Sequence, residues 1–353
     1  SGEQPGKFIH EYRTQKFDHL VNSDDNWYVY PDGIMRNYDS IDSTPLALIA
    51  IYKYFELTND GEFLLNALPS VEKGLNWIIS YGDLDGDNLI EYEFDPKRDH
   101  GGLLVQSWTD SHESIKQIDG QMPVYPIAPV EAQGYAWLAF KLWSEYYNQP
   151  FSKTGIHSKK FASSLKTRAN AIKDAFNKNF IFEENGIHYL SQALDGHKNQ
   201  IRTVTGNPLL LLWSTFIKKG KRESIIEDKY IYDIVKRSFM SDLFDTNGGI
   251  RTMSMLSKTF DPTTNSYHNG SFWPKLNGMA HEGLRYWGYF EEANQLRKAT
   301  LKPLLHFGTP IELYVIRDGQ YSEWINATTG QSSCKVQAWS AAVALDLLTQ
   351  STI

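Results

Sequence analysis

The chain has 353 residues, 41% of them hydrophobic and 22% charged, which provides for a large core and excludes a disordered protein. A formal net charge of −7 argues against a nucleic-acid binder, which needs a basic face, and no apolar run approaches the roughly 18 residues of a membrane span. The single cysteine, Cys334, excludes an intrachain disulfide, and no Cys/His spacing reads as a zinc site.

Cysteine usage suits a reducing cytosol, and Ser1-Gly-Glu-Gln-Pro-Gly6 is not a signal peptide, so a cytoplasmic location is expected. Helical patterning begins at Ser43–Glu56, where Ser43 or Thr44 is the expected N-cap and Pro45 the first helical residue. Asn59-Asp-Gly61 breaks it, and Glu62–Ser80 places Leu64, Leu65, Leu68, Val71, Leu75, Ile78 and Ile79 on one broad face. The same periodicity predicts helices over Pro129–Tyr147, Ser158–Asn179, Leu209–Lys218, Glu223–Met240, Ser271–Trp287, Glu291–His306 and Val336–Leu348. Period-two alternation is rare, with Gly186–Leu190 the best short strand. About nine helices, taken as antiparallel pairs, predict one compact all-α domain over residues 1–353.

Long structureless connections are uncommon unless they carry function. Here 81–127, 240–270 and 307–335 are dense in Asp, Glu, His, Trp and Gly, and in a ring of helical hairpins they would converge on one pocket. The first holds Ser107-Trp-Thr-Asp-Ser111, in which Trp108 offers a flat apolar face for a pyranose and Asp110 a carboxyl for its glycosidic oxygen. The plainer alternative makes Asp110 the cap of a helix starting near Ser111. With 10 Trp and 20 Tyr the chain has the aromatic surface a carbohydrate groove uses.

Other motifs add candidates. Asp39-Ser-Ile-Asp-Ser43 puts two acids before a helix where a cap needs one, leaving Asp42 to accept sugar hydroxyls. Gly248-Gly-Ile-Arg-Thr252 offers Arg251, and Tyr267-His-Asn-Gly-Ser-Phe-Trp-Pro274 offers His268 and Trp273. In the last long loop Glu312 and Glu323 are the acids that could pair with Asp110, Glu323 beside Trp324. Asp83, Asp85 and Asp87 alternate around Gly86 as in a calcium loop, although the spacing departs from the twelve-residue pattern and an acidic turn bonded to its own backbone explains it as well.

Taken in order, these stretches resemble the catalytic domain of the glycogen-debranching amylo-α-1,6-glucosidases and related (α/α)6-barrel glycoside hydrolases. The resemblance runs through Gly6-Lys-Phe-Ile-His-Glu-Tyr-Arg13, Asp39–Leu46, Asp85–Tyr92, Gln106–Ser111, Pro126–Tyr135, Gly248–Thr252, Ser266–Pro274 and Gln337-Ala-Trp-Ser-Ala-Ala342, and it implies sugar contacts at Glu131, Gln133 and Trp324. It implies an all-α (α/α)6 toroid, an oligosaccharide or α-glucan as partner, and no required cofactor. Members of the family usually carry an N-terminal sugar-binding β-rich domain, and this chain starts almost at the Gly-Lys-x-x-His-Glu stretch. The resemblance therefore implies that such a domain and the first barrel helices could be missing.

The family's acid lies in a Trp-x-Asp segment, here Asp110. Its base lies about fifteen residues before the Gln-Ala-Trp-Ser run, which selects Glu323, whereas the family's Pro-Glu-Leu context favours Glu312 within Pro310-Ile-Glu-Leu313. The implied reaction inverts, with carboxyls about 6.5–9.5 Å apart and Asp110 kept protonated by desolvation against Trp108. The expected substrate is a terminal α-glucosyl unit, an α-1,6 branch stub. Trehalose-like, mannosyl or glucosylglycerol-type substrates are the alternatives, as is a non-catalytic glycan-binding barrel.

Overall fold

In the computed structural model, residues 2–14, 27–149 and 158–350 are described; the polar run inside 15–26 lies outside them. The chain divides into two compact units. The first comprises Ser1–His112, Val124–Asn179 and Asp195–Lys198, and the second Glu113–Pro123, Phe180–Leu194 and Asn199–Ile353.

The first unit holds helices α1 (Ser43–Thr58), α2 (Gly61–Trp77), α3 (Val130–Asn148) and α4 (Lys159–Asn179), with α2 continuing into a π-helical turn at Ile78–Gly82. Helix α3 is at its centre: Val130 to Phe140, Leu142, Trp143, Tyr146 and Tyr147 are all buried, as expected of a helix apolar around most of its circumference. It packs on α1 and α4. Trp143 donates its indole N–H to the Leu48 carbonyl of α1 at 3.1 Å, and Tyr147 donates to Glu72 of α2 at 3.0 Å. Tyr52, Trp143 and Tyr146 meet edge to face around these bonds. Among the described residues of this unit the helices match their predicted spans closely.

The start of α1 differs in one respect. Asp42 occupies the N-cap position, so the helix begins at Ser43 rather than Pro45, and the Asp42 side chain makes no capping bond. The Ser40 hydroxyl accepts the Ser43 N–H instead, at 3.1 Å. At the far end Asn59 turns left-handed (φ 59°) and Asp60 caps α2 by accepting from Phe63 N at 2.9 Å, so Asn59-Asp-Gly61 is both a stop and a start.

The second unit holds α5 (Pro208–Trp213), α6 (Asp228–Ser238), α7 (Pro274–Tyr286), α8 (Phe290–Phe307) and α9 (Ala338–Thr349). Helix α7 packs on α5, α8 and α9, and Arg297 of α8 donates to the Leu347 carbonyl of α9 at 2.6 Å. Helix α5 is shorter than the predicted Leu209–Lys218. Hydroxyls of Ser214 and Thr215 take the last carbonyls, of Leu210 and Leu212, and Phe216–Lys218 pairs with Lys221–Glu223 as a hairpin. The helix expected from Glu223 starts at Asp228 for the same reason.

Two further hairpins repeat this design: Ile181–Glu184 with Ile187–Leu190, which contains the predicted strand, and Tyr314–Arg317 with Gln320–Glu323. Each of the three turns on two residues with positive φ, the second a glycine: Asn185-Gly186, Lys219-Gly220 and Asp318-Gly319. That is the type I′ geometry whose twist matches that of the strands.

Candidate active site

Residues Gln106 to Thr109 are buried, and the Asp110 side chain then emerges with 29% of its surface exposed. No helix follows: 111–127 runs through turns and bends, so Asp110 is not a helix cap. Trp108, 9% exposed, lies against the protein immediately before it. The loop is held to the Asp39–Ser43 segment by the Ile41 N–H, which donates to the Gln106 carbonyl at 3.0 Å, and Gln106 in turn donates to Glu93 O at 3.1 Å.

The ionisable partner of Asp110 is His10, with Nε2 3.6 Å from Oδ2, a charge contact rather than a hydrogen bond. Burial alone would depress the His10 imidazole. The contact with Asp110, joined by the charges of Asp42 and Glu11, outweighs burial and holds it above its ordinary value. Asp42 is buried, accepts from the Ser40 hydroxyl through Oδ1, and has no protein partner for Oδ2 among the described residues. Asp39, its neighbour in sequence, is bound instead by Arg98 in a two-pronged contact of 3.1 and 2.7 Å and by the Leu103 N–H. Of the paired acids, then, Asp39 braces the loop and Asp42 keeps an oxygen uncommitted.

Glu131 and Gln133 open helix α3 and are fully buried. Gln133 accepts from Ile90 N at 2.9 Å and donates to the Ile90 and Pro129 carbonyls at 2.7 and 3.0 Å, so its amide fastens the 83–91 turn to α3. A sugar contact was expected of it; the structure gives it a bracing role.

In the second unit the Tyr267 ring lies 4.6 Å from that of His268, 5.0 Å from Trp273 and 4.6 Å from Trp324. His268 stacks on Trp273 at 4.8 Å and 13°. The His268, Trp273 and Trp324 rings are buried, with the Trp273 indole donating to Tyr267 O and the Trp324 indole to Asn265 O, so they form a packed aromatic floor. Trp339, on the Gln-Ala-Trp-Ser run at the start of α9, is 42% exposed, with its ring 6.4 Å from Trp273. Arg251 is also buried: it pairs with Asp245 at 2.8 Å and lies over the Phe272 ring, which stiffens the short hairpin of Phe244–Asp245 with Gly249–Ile250. Burial, only partly opposed by Asp245, lowers its guanidinium from the ordinary value.

The two candidate bases stand differently. Glu312 accepts from the Tyr267 hydroxyl at 3.0 Å through Oε1 and from the Cys334 N–H at 3.0 Å through Oε2. Glu323 ends the Gln320–Glu323 strand opposite Tyr314, with 31% of its side chain exposed and Lys335 3.6 Å away. Each Glu312 oxygen already holds a donor, whereas Glu323 is open to solvent and faces a single exposed ammonium.

Asp83, Asp85, Asp87 and Glu91 are the one group among the described residues with the donor set of a metal site. Lys198 sits among them, 2.7 Å from Asp85 and 2.9 Å from Asp87, and also bonds Glu91. Burial pushes the Glu91 carboxyl up to about 7 against the pull of Lys198. Burial also opposes the charge on Lys198, yet the three carboxylates hold its ammonium above the ordinary lysine value.

A cavity of about 290 Å³ in the first unit is lined by Lys7, Asp39, Trp77, Glu91, Arg98 and neighbouring residues, and one of about 430 Å³ in the second by Arg202, Ser254, Leu256, Lys258 and others. None of the ten predicted site residues lines either cavity. His10, Trp339 and Lys198 were not singled out from the sequence. His10 and Trp339 lie inside motifs that were recognised, but the partners that give them meaning, Asp110 and Trp273, are distant in the chain.

No curated protein matches the sequence. Among solved structures, the GH63 mannosylglycerate hydrolase of Thermus thermophilus, determined in complex with glucose, is similar at TM-score 0.62 and 15% identity, covering 87% of this chain and 75% of that one. An uncharacterized conserved protein of the same organism is similar at TM-score 0.60 and 15% identity, covering 87% of this chain and 77% of that one. At such identity the likeness shows a shared helical fold. The sequence also matches the family described as amylo-alpha-1,6-glucosidase, and because that match runs from residue 27 to residue 346 the chain belongs to the amylo-alpha-1,6-glucosidase family.

Proposed function

We propose that this chain is an inverting glycoside hydrolase on an (α/α)6 scaffold that releases glucose from terminal α-linked glucosyl units, with the α-1,6 branch stubs of glycogen-like glucans as substrate. Asp110 protonates the leaving glycosidic oxygen, and Glu323 takes a proton from the attacking water. The observation that carries this reading is the partly exposed Asp110 carboxyl on the family's Trp-x-Asp segment, ahead of a loop rather than a helix.

Glu323 is preferred to Glu312 because it lies at the family's spacing before the Gln-Ala-Trp-Ser run and is open to solvent, whereas both Glu312 oxygens are held by protein donors. Asp42, through its uncommitted Oδ2, is the hydroxyl-binding carboxylate. His10 is a positioning residue: its contact aims the Asp110 carboxyl. Trp108 supports the acid, Glu131 is a substrate-binding residue, and the rings of Trp273, His268 and Trp324 support the base. The chemistry is assigned to these side chains without a cofactor.

A second reading rests on the fold likeness to the mannosylglycerate hydrolase: an α-glycosidase that cleaves a small mannosyl or glucosyl conjugate. One assay separates the readings. Glucose release from a branched limit dextrin is measured beside sugar release from mannosylglycerate, trehalose and glucosylglycerol. Wild type is compared with Asp110→Asn, Glu323→Gln and Glu312→Gln. The expected outcome is glucose from the dextrin and a loss of about a hundredfold or more in the first two variants. Turnover confined to a small conjugate moves the substrate to the second reading, and a loss confined to Glu312→Gln moves the base. Glycan binding without turnover on any substrate makes the chain a binding barrel.

A further inference from the structure

The acidic turn at Asp83–Glu91 has the architecture of a cation loop, and its central position is taken by a side chain. Asp83 closes the turn, accepting from the N–H groups of Gly86, Asp87 and Asn88 at 2.7, 3.1 and 3.0 Å. This leaves Asp85, Asp87 and Glu91 converging on the Lys198 ammonium, which reaches in from the Asp195–Lys198 segment. We propose that these carboxylates form a calcium-type site in which the Lys198 ammonium is the resident cation, and that a calcium ion and the ammonium compete for it.

Three observations carry the assignment. Ligand oxygens from all four acids lie within 4.8 Å of one another. Oxygens grouped this closely can reach one hard cation together. Second, the Glu91 side chain is fully buried, and its Oε2 has no hydrogen-bond partner although Oε1 is bound by Lys198. A buried carboxylate oxygen without a donor is costly, and the three N–H groups of an ammonium are already matched to three carboxylates. A calcium ion accepts both oxygens of one glutamate, as the closing residue of calcium loops supplies them. Third, three carboxylates share one ammonium, so the cluster retains negative charge that a divalent ion neutralises more fully. Because a lysine tethered to the same chain is present at high effective concentration, calcium binds the wild type weakly and tightens once the ammonium is removed.

The test is calcium and magnesium titration of the full chain by calorimetry and thermal melting, comparing wild type, Lys198→Met and the double variant Lys198→Met/Glu91→Gln. Lys198→Met is expected to bind calcium at least about tenfold tighter than wild type, to melt higher with calcium than without, and to discriminate against magnesium. The double variant is expected to lose this gain. Equal calcium affinity in wild type and Lys198→Met, or a gain that survives Glu91→Gln, overturns the proposal. Should Lys198→Met fail to fold, acylation of Lys198 in wild type decides, followed by peptide mass mapping. Calcium that displaces the ammonium raises the labelling rate at Lys198, and an unchanged rate at millimolar calcium overturns the proposal.

Discussion

His281 illustrates how position decides the chemistry of a residue type. It lies on α7 with 1% of its surface exposed, and its Nδ1 has no partner among the described residues. Burial, reinforced by the charge of Arg285, lowers its imidazole to about 4 from the ordinary 6.5. Between those values the unfolded chain binds a proton that the native chain does not. The stability associated with this group is therefore complete above pH 6.5 and is lost as pH falls toward 4. His281→Leu should flatten the decline in melting temperature over that window, and an equally steep decline would count against the burial argument. His10 is the opposite case: carboxylates overcome its burial, so its favourable contribution is complete below the ordinary histidine value and fades as pH rises through its elevated one. Glu312 and Glu323 differ in the same local way. Both are loop-region acids in sequence; in the structure Glu312 is held by Tyr267 and the Cys334 N–H, while Glu323 meets, among the described residues, only the exposed Lys335 ammonium.

At the scale of elements, helix periodicity was readable because α1 to α4 and α7 to α9 each carry apolar side chains at helical spacing. Hairpins were less readable, since their strands are three or four residues long and too short to display alternation. The turn chemistry did mark them: Asp318-Gly319 and Asn185-Gly186 are strong hairpin signals, and reading the first would have placed Glu323 at a strand end. Close packing of helices is set by glycine at one position in particular. A Cβ at Gly283 of α7 would lie 2.5 Å from the Trp213 backbone nitrogen and 2.7 Å from the Leu212 carbonyl carbon, at the end of α5. These are backbone atoms, which no rotamer change can move aside. Alanine gains about 1 kcal/mol of helix propensity, but forcing α5 and α7 apart costs about 1–3 kcal/mol. Gly283→Ala is therefore expected to lower the thermal midpoint, and a raised midpoint would contradict the close contact.

For the molecule as a whole, family membership and fold likeness agree on a helical glycoside hydrolase. No helix among the described residues is long and apolar enough to cross a membrane. The stereochemical part of the proposed function has its own readout. Proton NMR of freshly released sugar should show the β anomer from an α-linked substrate, as single displacement by water demands. Early accumulation of the α anomer would assign a double displacement instead and make the second carboxylate a nucleophile.

The sequence by itself determined the helical class, the placement of most helices, the motifs that mark the family and the choice of Asp110 as candidate acid. The helices follow from short-range physics, periodic burial along one face, whereas the motifs and the candidate acid rest on stretches that resemble the family's. Tertiary structure alone decided what each polar side chain is bonded to. It gave the Ser43 N–H to the Ser40 hydroxyl rather than to the N-cap Asp42 side chain, bonded Gln133 and Arg251 within the fold, set His10 against Asp110 and placed Lys198 among the acids of the 83–91 turn. Most of those contacts join residues whose separation in sequence carries no signal, because a hydrogen bond or ion pair depends on where two chain segments meet and not on the composition of either.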